Sequence, residues 1–275
     1  MNKTIAYLGP AGTFTEEASL AYAPDSCRLP FTSIPSVAEA VSNGKVDEGI
    51  VPIENSVEGS VTDTLDLLIS DPKLRIRKEI VLPIEHCLLS KYETEIEQIE
   101  NIYSHPQALA QCRIFLGKFF PNSQWIAALS TASAVEQMLQ TNSSSGAIGN
   151  YRCAKLYGAQ ILKQSIQDSP NNLTRFVVLA KNDHSQTGSD KTSLCFSFDQ
   201  DEPGLLYQVM GIFANRVINL TKVESRPTKQ NLGRYIFLID LDGHKKDKHI
   251  NEALVSLADI ASNFKILGSY PRHKT

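Results

Sequence analysis

The sequence predicts an α/β protein in two parts: a mostly parallel α/β unit over residues 1–182, then a βαββαβ ferredoxin-like sandwich over residues 192–275. Three observations predict it. Strand-like apolar runs alternate with helix-like periodic runs from Thr4 to Ala180, as in a parallel sheet with crossover helices. Asn182 to Lys191 carries no apolar side chain and reads as a domain boundary. Beyond it the order becomes strand, helix, strand, strand, helix, strand.

Thr4–Leu8 reads as the first strand and runs into Gly9-Pro10-Ala11-Gly12-Thr13-Phe14. Thr13 with Glu16 three residues on is a capping-box pattern that starts a helix. A glycine-bearing loop entering a helix leaves backbone N–H groups open to an anion, helped by a dipole contribution of roughly 0.3–1 kcal/mol. A plain strand–helix turn reads equally well. The spacing G-x-x-G is neither the dinucleotide fingerprint nor a P-loop, so no nucleotide is indicated.

Ser36 and Glu39 repeat the capping signal, and Asn43-Gly44 stops that helix. Glu48–Ile53 is a short buried strand ending in Glu54-Asn55-Ser56. Asn55 and Ser56 are neutral hydrogen-bonding groups at a strand's carboxyl end, where open α/β sheets bind ligands; they are also ordinary turn formers. A helix with Leu65, Leu68 and Ile69 on one face follows. Leu74 to Ser90 fits two strands or one crossover. Ile99–Tyr103 is a strand, and Ser104-His105-Pro106-Gln107 opens a helix with Leu109, Cys112, Leu116 and Phe119 as its buried stripe. Trp125–Leu129 is a strand, Ser130-Thr131 leads into a helix, and Ala147–Gly149 is a short strand before a helix at Asn150. The extended run from Gln160 to Ile166 returns the chain to Asn171.

Phe176–Ala180 is a buried strand entered through Asn171-Asn172-Leu173-Thr174-Arg175. Thr174 offers a hydroxyl donor and Arg175 a cationic fork, with no carboxylate between Asn171 and Lys181. Such a mouth suits a small anion, or is simply a polar turn into a core strand. In the second unit, Ser193–Asp199 is a strand with Leu194, Phe196 and Phe198 inward. A helix from near Pro203 carries Leu206, Val209, Met210 and Phe213. Strands at Thr221–Ser225 and Arg234–Leu241 are joined by a turn at Thr228–Gly233; a helix at Ile250–Ala261 and a strand at Lys265–Tyr270 complete the unit. Its sheet edges invite pairing with another copy.

Composition narrows the function classes. With 42% hydrophobic and 21% charged residues the 275-residue chain builds a sizeable core, and a net charge of −3 advertises neither nucleic acid nor a membrane surface. Five scattered cysteines without a CxxC pair predict no structural zinc and a reduced, cytoplasmic setting. The N-terminal apolar run is too short for a signal peptide, and no membrane-spanning run is present.

Four fragments, Gly9-Pro10-Ala11-Gly12-Thr13-Phe14, Val51-Pro52-Ile53-Glu54-Asn55-Ser56, Ser104-His105-Pro106-Gln107 and Asn172-Leu173-Thr174-Arg175-Phe176, are similar to the motifs of prephenate dehydratases and occur in that family's order. Glu224-Ser225-Arg226-Pro227 is similar to the signature of the ACT regulatory domain that follows in the family. The chain departs from the family at Pro203-Gly204-Leu205-Leu206-Tyr207, where alanine usually stands in place of Leu205.

The resemblance implies two α/β lobes with a cleft between them, similar to a periplasmic binding protein, followed by an ACT domain. It implies decarboxylative dehydration of prephenate to phenylpyruvate, carbon dioxide and water, in phenylalanine biosynthesis. Aromatisation drives that reaction, so no metal and no cofactor is expected. By the same resemblance Thr174 is the catalytic donor, and Thr13, Asn55, Ser56, Ser104, Gln107, Thr131, Arg175 and Phe176 bind substrate, Arg175 as the natural carboxylate partner unless it pairs instead with a structural acid. L-Phenylalanine would inhibit from a junction of paired ACT domains. Gly204, Leu205, Leu206 and Asn219 would come from one copy, with Glu224, Ser225 and Arg226 of a second copy closing the site. A homodimer or dimer of dimers follows. Two alternatives stand beside this: an arogenate dehydratase, which no residue excludes, and a two-lobed anion receptor, which would normally carry an export signal.

Overall fold

The structure, a computed structural model, describes residues 3–92, 94–200, 202–228 and 234–273. The chain opens with β1 (Thr4–Leu8), α1 (Phe14–Tyr22), β2 (Cys27–Phe31), α2 (Ile34–Ser42), β3 (Glu48–Asn55), β4 (Gly59–Ser60), α3 (Thr62–Ser70) and β5 (Arg75–Pro83). It continues through β6 (Cys87–Ser90), β7 (Asn101–Ser104), α4 (Pro106–Gln111), α5 (Arg113–Phe119), β8 (Gln124–Ala127), α6 (Thr131–Gln140), β9 (Ser145–Gly149), α7 (Tyr151–Tyr157) and β10 (Gln160–Lys163). Then come β11 (Leu173–Ala180), β12 (Asp190–Ser197), α8 (Leu205–Ala214), β13 (Leu220–Pro227), β14 (Tyr235–Asp242), α9 (Lys248–Ala258) and β15 (Asn263–Pro271).

Among the described residues the strands form three sheets. The first has the order β2-β1-β3-β11-β5, with β4 on β3. The second, β10-β6-β9-β7-β8, mixes parallel pairs (β7 with β8 and β9) and antiparallel ones (β6 with β9 and β10). The chain starts in the first sheet, builds the second and returns to the first at β11, the expected path between two α/β lobes. The third sheet, β13-β14-β12-β15, places its strands second-third-first-fourth, the order of a βαββαβ sandwich. Its core joins Leu194 and Phe196 of β12 to Val209, Phe213, Leu254 and Leu257 of α8 and α9. Each such side chain contributes roughly 1.5–3 kcal/mol on burial.

The residues form two compact units: 1–37, 50–61 and 81–176 in one, 38–49, 62–80 and 177–275 in the other. Strands β3, β5 and β11 each run from one into the other. Within the second unit, residues from the N-terminal part are tied to the C-terminal sheet. Lys265 of β15 donates to the carbonyls of Leu68 (2.5 Å) and Asp71 (2.6 Å), closing the C-terminal end of α3. Arg226 of β13 reaches Asp66 (3.0 Å) and the Thr62 carbonyl (3.3 Å) in the first turns of α3. Buried Glu79 of β5 pairs with Lys191 at 2.8 Å. A Cβ on Gly268 would stand 2.2 Å from the Ile76 carbonyl oxygen, so this backbone approach requires glycine.

Several expectations are corrected. The helix expected from Ser104 breaks at Cys112 into α4 and α5, because the Asp168 carboxylate accepts from the Ile114 N–H (3.1 Å) and starts a new helix there. The break shifts the face: Phe120 is buried, and Phe119 is 56% exposed. Helix α2 is capped by Ser33 and Ser36 in a reciprocal pair, one turn before the expected Ser36–Glu39 box. Leu129 lies beyond β8 and is exposed. The polar stretch before β12 is tied down: the Asp183 carbonyl accepts from Arg77 (3.2 Å) and the His184 N–H donates to Ser269 O (3.0 Å). The expected turn at Thr228–Gly233 lies, past Thr228, outside the described residues.

Candidate active site

The mouth of β11 is stitched to the end of β3. Ser56 N–H donates to the Leu173 carbonyl (2.8 Å), and Leu173 N–H donates to Ser56 Oγ (2.9 Å), which itself donates to the Asn171 carbonyl (3.1 Å). Asn55 Oδ1 accepts from the backbone N–H groups of Val57 and Glu58, both at 3.0 Å. Backbone N–H groups only donate, so they fix which end of the Asn55 carboxamide is oxygen. Its Nδ2 then donates to Thr174 Oγ1 and to Asn172 Oδ1, each at 2.8 Å. Asn172 Nδ2 passes on to Gln111 Oε1 (2.9 Å), which also meets His86 Nε2 (3.0 Å). All five side chains are buried, Thr174 at 7% exposure. Because the Asn55 nitrogen donates, the Thr174 oxygen accepts, and the hydroxyl hydrogen stays available for another partner.

Arg175 does not stand in an acid-free mouth. Glu54, supplied from β3, pairs with its Nη2 at 2.9 Å. Phe176 is 2% exposed, a core side chain rather than a surface one. Ser104 is buried with its hydroxyl on the Ile148 carbonyl (2.8 Å), holding β7 to β9. Gln107 is exposed in the first turn of α4, where His105 Nδ1 accepts its backbone N–H. Thr131 is the first residue of α6, behind the Ser130–Ser133 capping box.

The Gly9–Phe14 loop answers its own call for an anion. Gly12 N–H donates to Glu16 Oε2 (2.7 Å), and Arg152 of α7 grips the same oxygen (2.6 Å). Burial pushes the Glu16 carboxyl up, but the Arg152 and Gly12 hydrogen bonds outweigh it and hold the pKa below the ordinary value. Thr13 caps α1: Oγ1 accepts from Glu16 N–H (3.3 Å) and faces the Leu8 and Pro10 carbonyls (3.0 Å each). Its hydroxyl is thus engaged within the loop. Gly12 holds φ +88, where a Cβ would meet Cys153 Sγ at 3.0 Å. Burial pushes the Cys153 thiol up to about 12, so it is no nucleophile.

The model of the family described as Prephenate dehydratase matches residues 5–184, and that of the ACT domain matches residues 200–259. The chain belongs to the prephenate dehydratase family. It is 44% identical to the bifunctional chorismate mutase/prephenate dehydratase of Aquifex aeolicus, covering 98% of this chain and 73% of that one. It is 39% identical to the prephenate dehydratase of Methanocaldococcus jannaschii, over 98% and 99% of the two chains. A crystal structure of the prephenate dehydratase of Arthrobacter aurescens in complex with L-Phe superposes with a TM-score of 0.90, at 38% identity over 98% of this chain and 90% of that one.

In this prephenate dehydratase family member the ACT-unit residues are placed as follows. Gly204 precedes α8 with φ +93, and Leu205 and Leu206 open the helix. Asn219 Nδ2 donates to Asp242 (2.8 Å), Glu224 pairs with Lys222 (3.1 Å), Ser225 lies opposite Phe237 in the sheet, and Arg226 holds α3. Asn219, Glu224 and Arg226 therefore all have partners within their own chain.

Sequence reasoning missed Gln111 and His86 and left Asn172 without a role. Gln111 had a signal: it stands four residues after Gln107, a polar side chain beside the apolar Leu109–Cys112–Leu116 stripe. The helix break at Cys112 makes it the last residue of α4 and turns it inward. His86 carried none, standing beside Glu85 between the apolar Ile84 and Cys87-Leu88.

Proposed function

We propose that the chain is a prephenate dehydratase of phenylalanine biosynthesis, with its catalytic domain over residues 1–182 and a phenylalanine-responsive ACT domain over residues 192–275. The observation that carries this is the Asn55–Thr174 hydrogen bond at 2.8 Å, inside the family's own motifs. In the reaction the electrons of the bond to the departing carboxylate flow into the ring, and the ring C–O bond breaks with its pair on oxygen. Carbon dioxide and hydroxide leave together, and the hydroxide takes a proton to become water. The Thr174 hydroxyl hydrogen, left free by Asn55, supports the charge growing on that oxygen. A threonine hydroxyl is a weak acid, so its proton moves only as the C–O bond breaks and is replaced from solvent. Neutral donors and Arg175 hold the substrate dianion, with no metal or cofactor step needed.

Exposed Tyr207, Val223 and Tyr235 on α8, β13 and β14 support pairing of ACT domains into a dimer or dimer of dimers that binds L-phenylalanine. A cytoplasmic setting suits the four buried free thiols. The direct test is to incubate the full chain with prephenate and follow phenylpyruvate absorbance. A parallel assay with arogenate, whose amino group is retained so that the product followed is phenylalanine, compares kcat/KM, and the reading expects prephenate to be preferred. No phenylpyruvate from prephenate would refute it.

A further inference from the structure

His86 lies between β5 and β6, is 2% exposed, and meets Phe14 edge to face with ring centroids 5.8 Å apart. Its Nε2 stands 3.0 Å from Gln111 Oε1, and its Nδ1 has no hydrogen-bond partner among the described residues. Gln111 Oε1 also accepts from Asn172 Nδ2. An oxygen between two nitrogens only accepts, so Nε2 carries the imidazole hydrogen and Nδ1 is a bare lone pair. Burial outweighs the Gln111 hydrogen bond and pushes the ring's pKa down, so burial favours the neutral form. A buried lone pair without a partner destabilises the fold, which leucine at the same place would not do. What the imidazole supplies in exchange is a single donor aimed at Gln111.

That donor reinforces a carboxamide orientation that the Val57 and Glu58 N–H groups set from the other end of the chain, through Asn55 and Asn172. With Gln111 turned over, its NH2 would face both the Nε2–H and the Asn172 NH2, and its oxygen would face Glu58 Oε1, now 3.4 Å from Gln111 Nε2. Every one of those meetings is donor on donor or acceptor on acceptor. The native orientation lets Asn172 give its NH2 to Gln111 and its oxygen to Asn55, so that the far end of the chain holds Asn172 against Asn55 Nδ2, which also donates to Thr174. We propose that His86, as its Nε2–H tautomer, is a positioning residue for the dehydration, locking the Gln111–Asn172–Asn55 chain so that the Thr174 hydroxyl hydrogen stays free for the leaving oxygen. The proposal rests on the reading of Thr174 given above.

The test uses the full chain with His86→Leu, His86→Gln and His86→Asn beside Thr174→Ala. Glutamine carries a donor to about the place of Nε2; asparagine is too short to reach it, and leucine has none. The expected result is kcat lower by about tenfold in the leucine and asparagine variants, the scale of one hydrogen bond, with KM within about twofold, and most of kcat restored by glutamine. Nitrogen chemical shifts of histidine-labelled wild type should show His86 neutral with its hydrogen on Nε2. If circular dichroism shows the leucine variant unfolded, the glutamine–asparagine pair decides. Equal kcat in that pair, or a ring protonated on Nδ1, overturns the proposal. If Thr174→Ala turns over like wild type, the reading of Thr174 falls and takes the proposal with it. If Thr174→Ala is slow while all three His86 variants match wild type, only the role of His86 falls.

Discussion

Asn55 and Thr174 are 119 residues apart in sequence and 2.8 Å apart in space, Nδ2 to Oγ1. The direction of that hydrogen bond decides what Thr174 offers. Removing the hydroxyl removes one preorganised donor, so Thr174→Ala is expected to lower kcat about 10²–10³-fold with the fold intact. Thr174→Ser should retain most of the activity. Steady-state kinetics with prephenate, beside circular dichroism, checks both; an alanine variant within a few-fold of wild type would remove Thr174 from catalysis.

The same bond predicts that an isosteric change is damaging. Asn55→Asp keeps an oxygen for the Val57 and Glu58 N–H groups but replaces the donor nitrogen with an acceptor. Thr174 would then donate to the new carboxylate, its hydrogen turned away from the leaving oxygen. Turnover is expected to drop about 10²-fold, close to the loss in Thr174→Ala. The double variant should be scarcely slower than either single one, and clean additivity in that cycle would argue against a shared function.

Arg175 is shared with Glu54, and this shapes the prediction for binding. If Arg175 holds a substrate carboxylate, as proposed, that group must either join the guanidinium fork beside Glu54 or displace it. Arg175→Gln is expected to raise KM about tenfold or more and to lower stability by only about 1 kcal/mol, since Glu54 has solvent access. Glu54→Gln should instead lower KM by freeing the fork. Unchanged KM in both variants would leave the pair a purely structural one.

The Glu16–Arg152 pair gives a pH prediction. The folded pKa of Glu16 is depressed, with burial opposed and outweighed by the Arg152 and Gly12 hydrogen bonds. A depressed carboxylate contributes stability above its unfolded value of 4.5 and loses it as pH falls through the folded value. Glu16→Gln should therefore melt lower than wild type near neutral pH, and the two melting curves should converge as pH falls from 4.5 through the depressed folded value. A gap that persists at acid pH would mean that packing, not charge, is what Glu16 contributes.

What the sequence revealed and what it hid divides along physical lines. Period-two and period-3.6 patterns read locally, so β1, β3, β11 and the βαββαβ order were legible, as were Thr174 and Asn55 at strand ends. Cross-chain partners were not. Nothing near Arg175 announces Glu54, because the pairing of β3 with β11 brings it there. The break at Cys112 follows from a remote carboxylate, Asp168, and local periodicity across 104–119 hid both the break and the burial of Gln111. The anion suited to the Gly12 loop proved to be Glu16, four residues on, already written in the capping box.

Control by phenylalanine yields the last prediction. Helix α3 directly follows β4, which pairs with the end of β3 at Asn55 and Glu54. Both ends of α3 are held by the C-terminal sheet, Arg226 at Asp66 and Thr62, Lys265 at Leu68 and Asp71. A shift of β13 on effector binding would move Arg226 and with it the first turn of α3, next in sequence to the loop that carries Asn55. Cutting the chain at residue 181 would strip α3 of these partners, so point variants isolate the coupling better. Arg226→Ala is expected to bind phenylalanine within about threefold of wild type by calorimetry, while inhibition of turnover weakens strongly. Effector coupling is typically about 5–150-fold and should fall toward none. Lys265→Met, at the other end of the helix, should act in the same direction. The competing assignment puts Arg226 in the effector site itself, where its loss would weaken binding and inhibition in parallel. Affinity and inhibition measured on one preparation therefore separate a strut from a ligand contact, because an effector shifts an equilibrium only by its differential affinity for the two states.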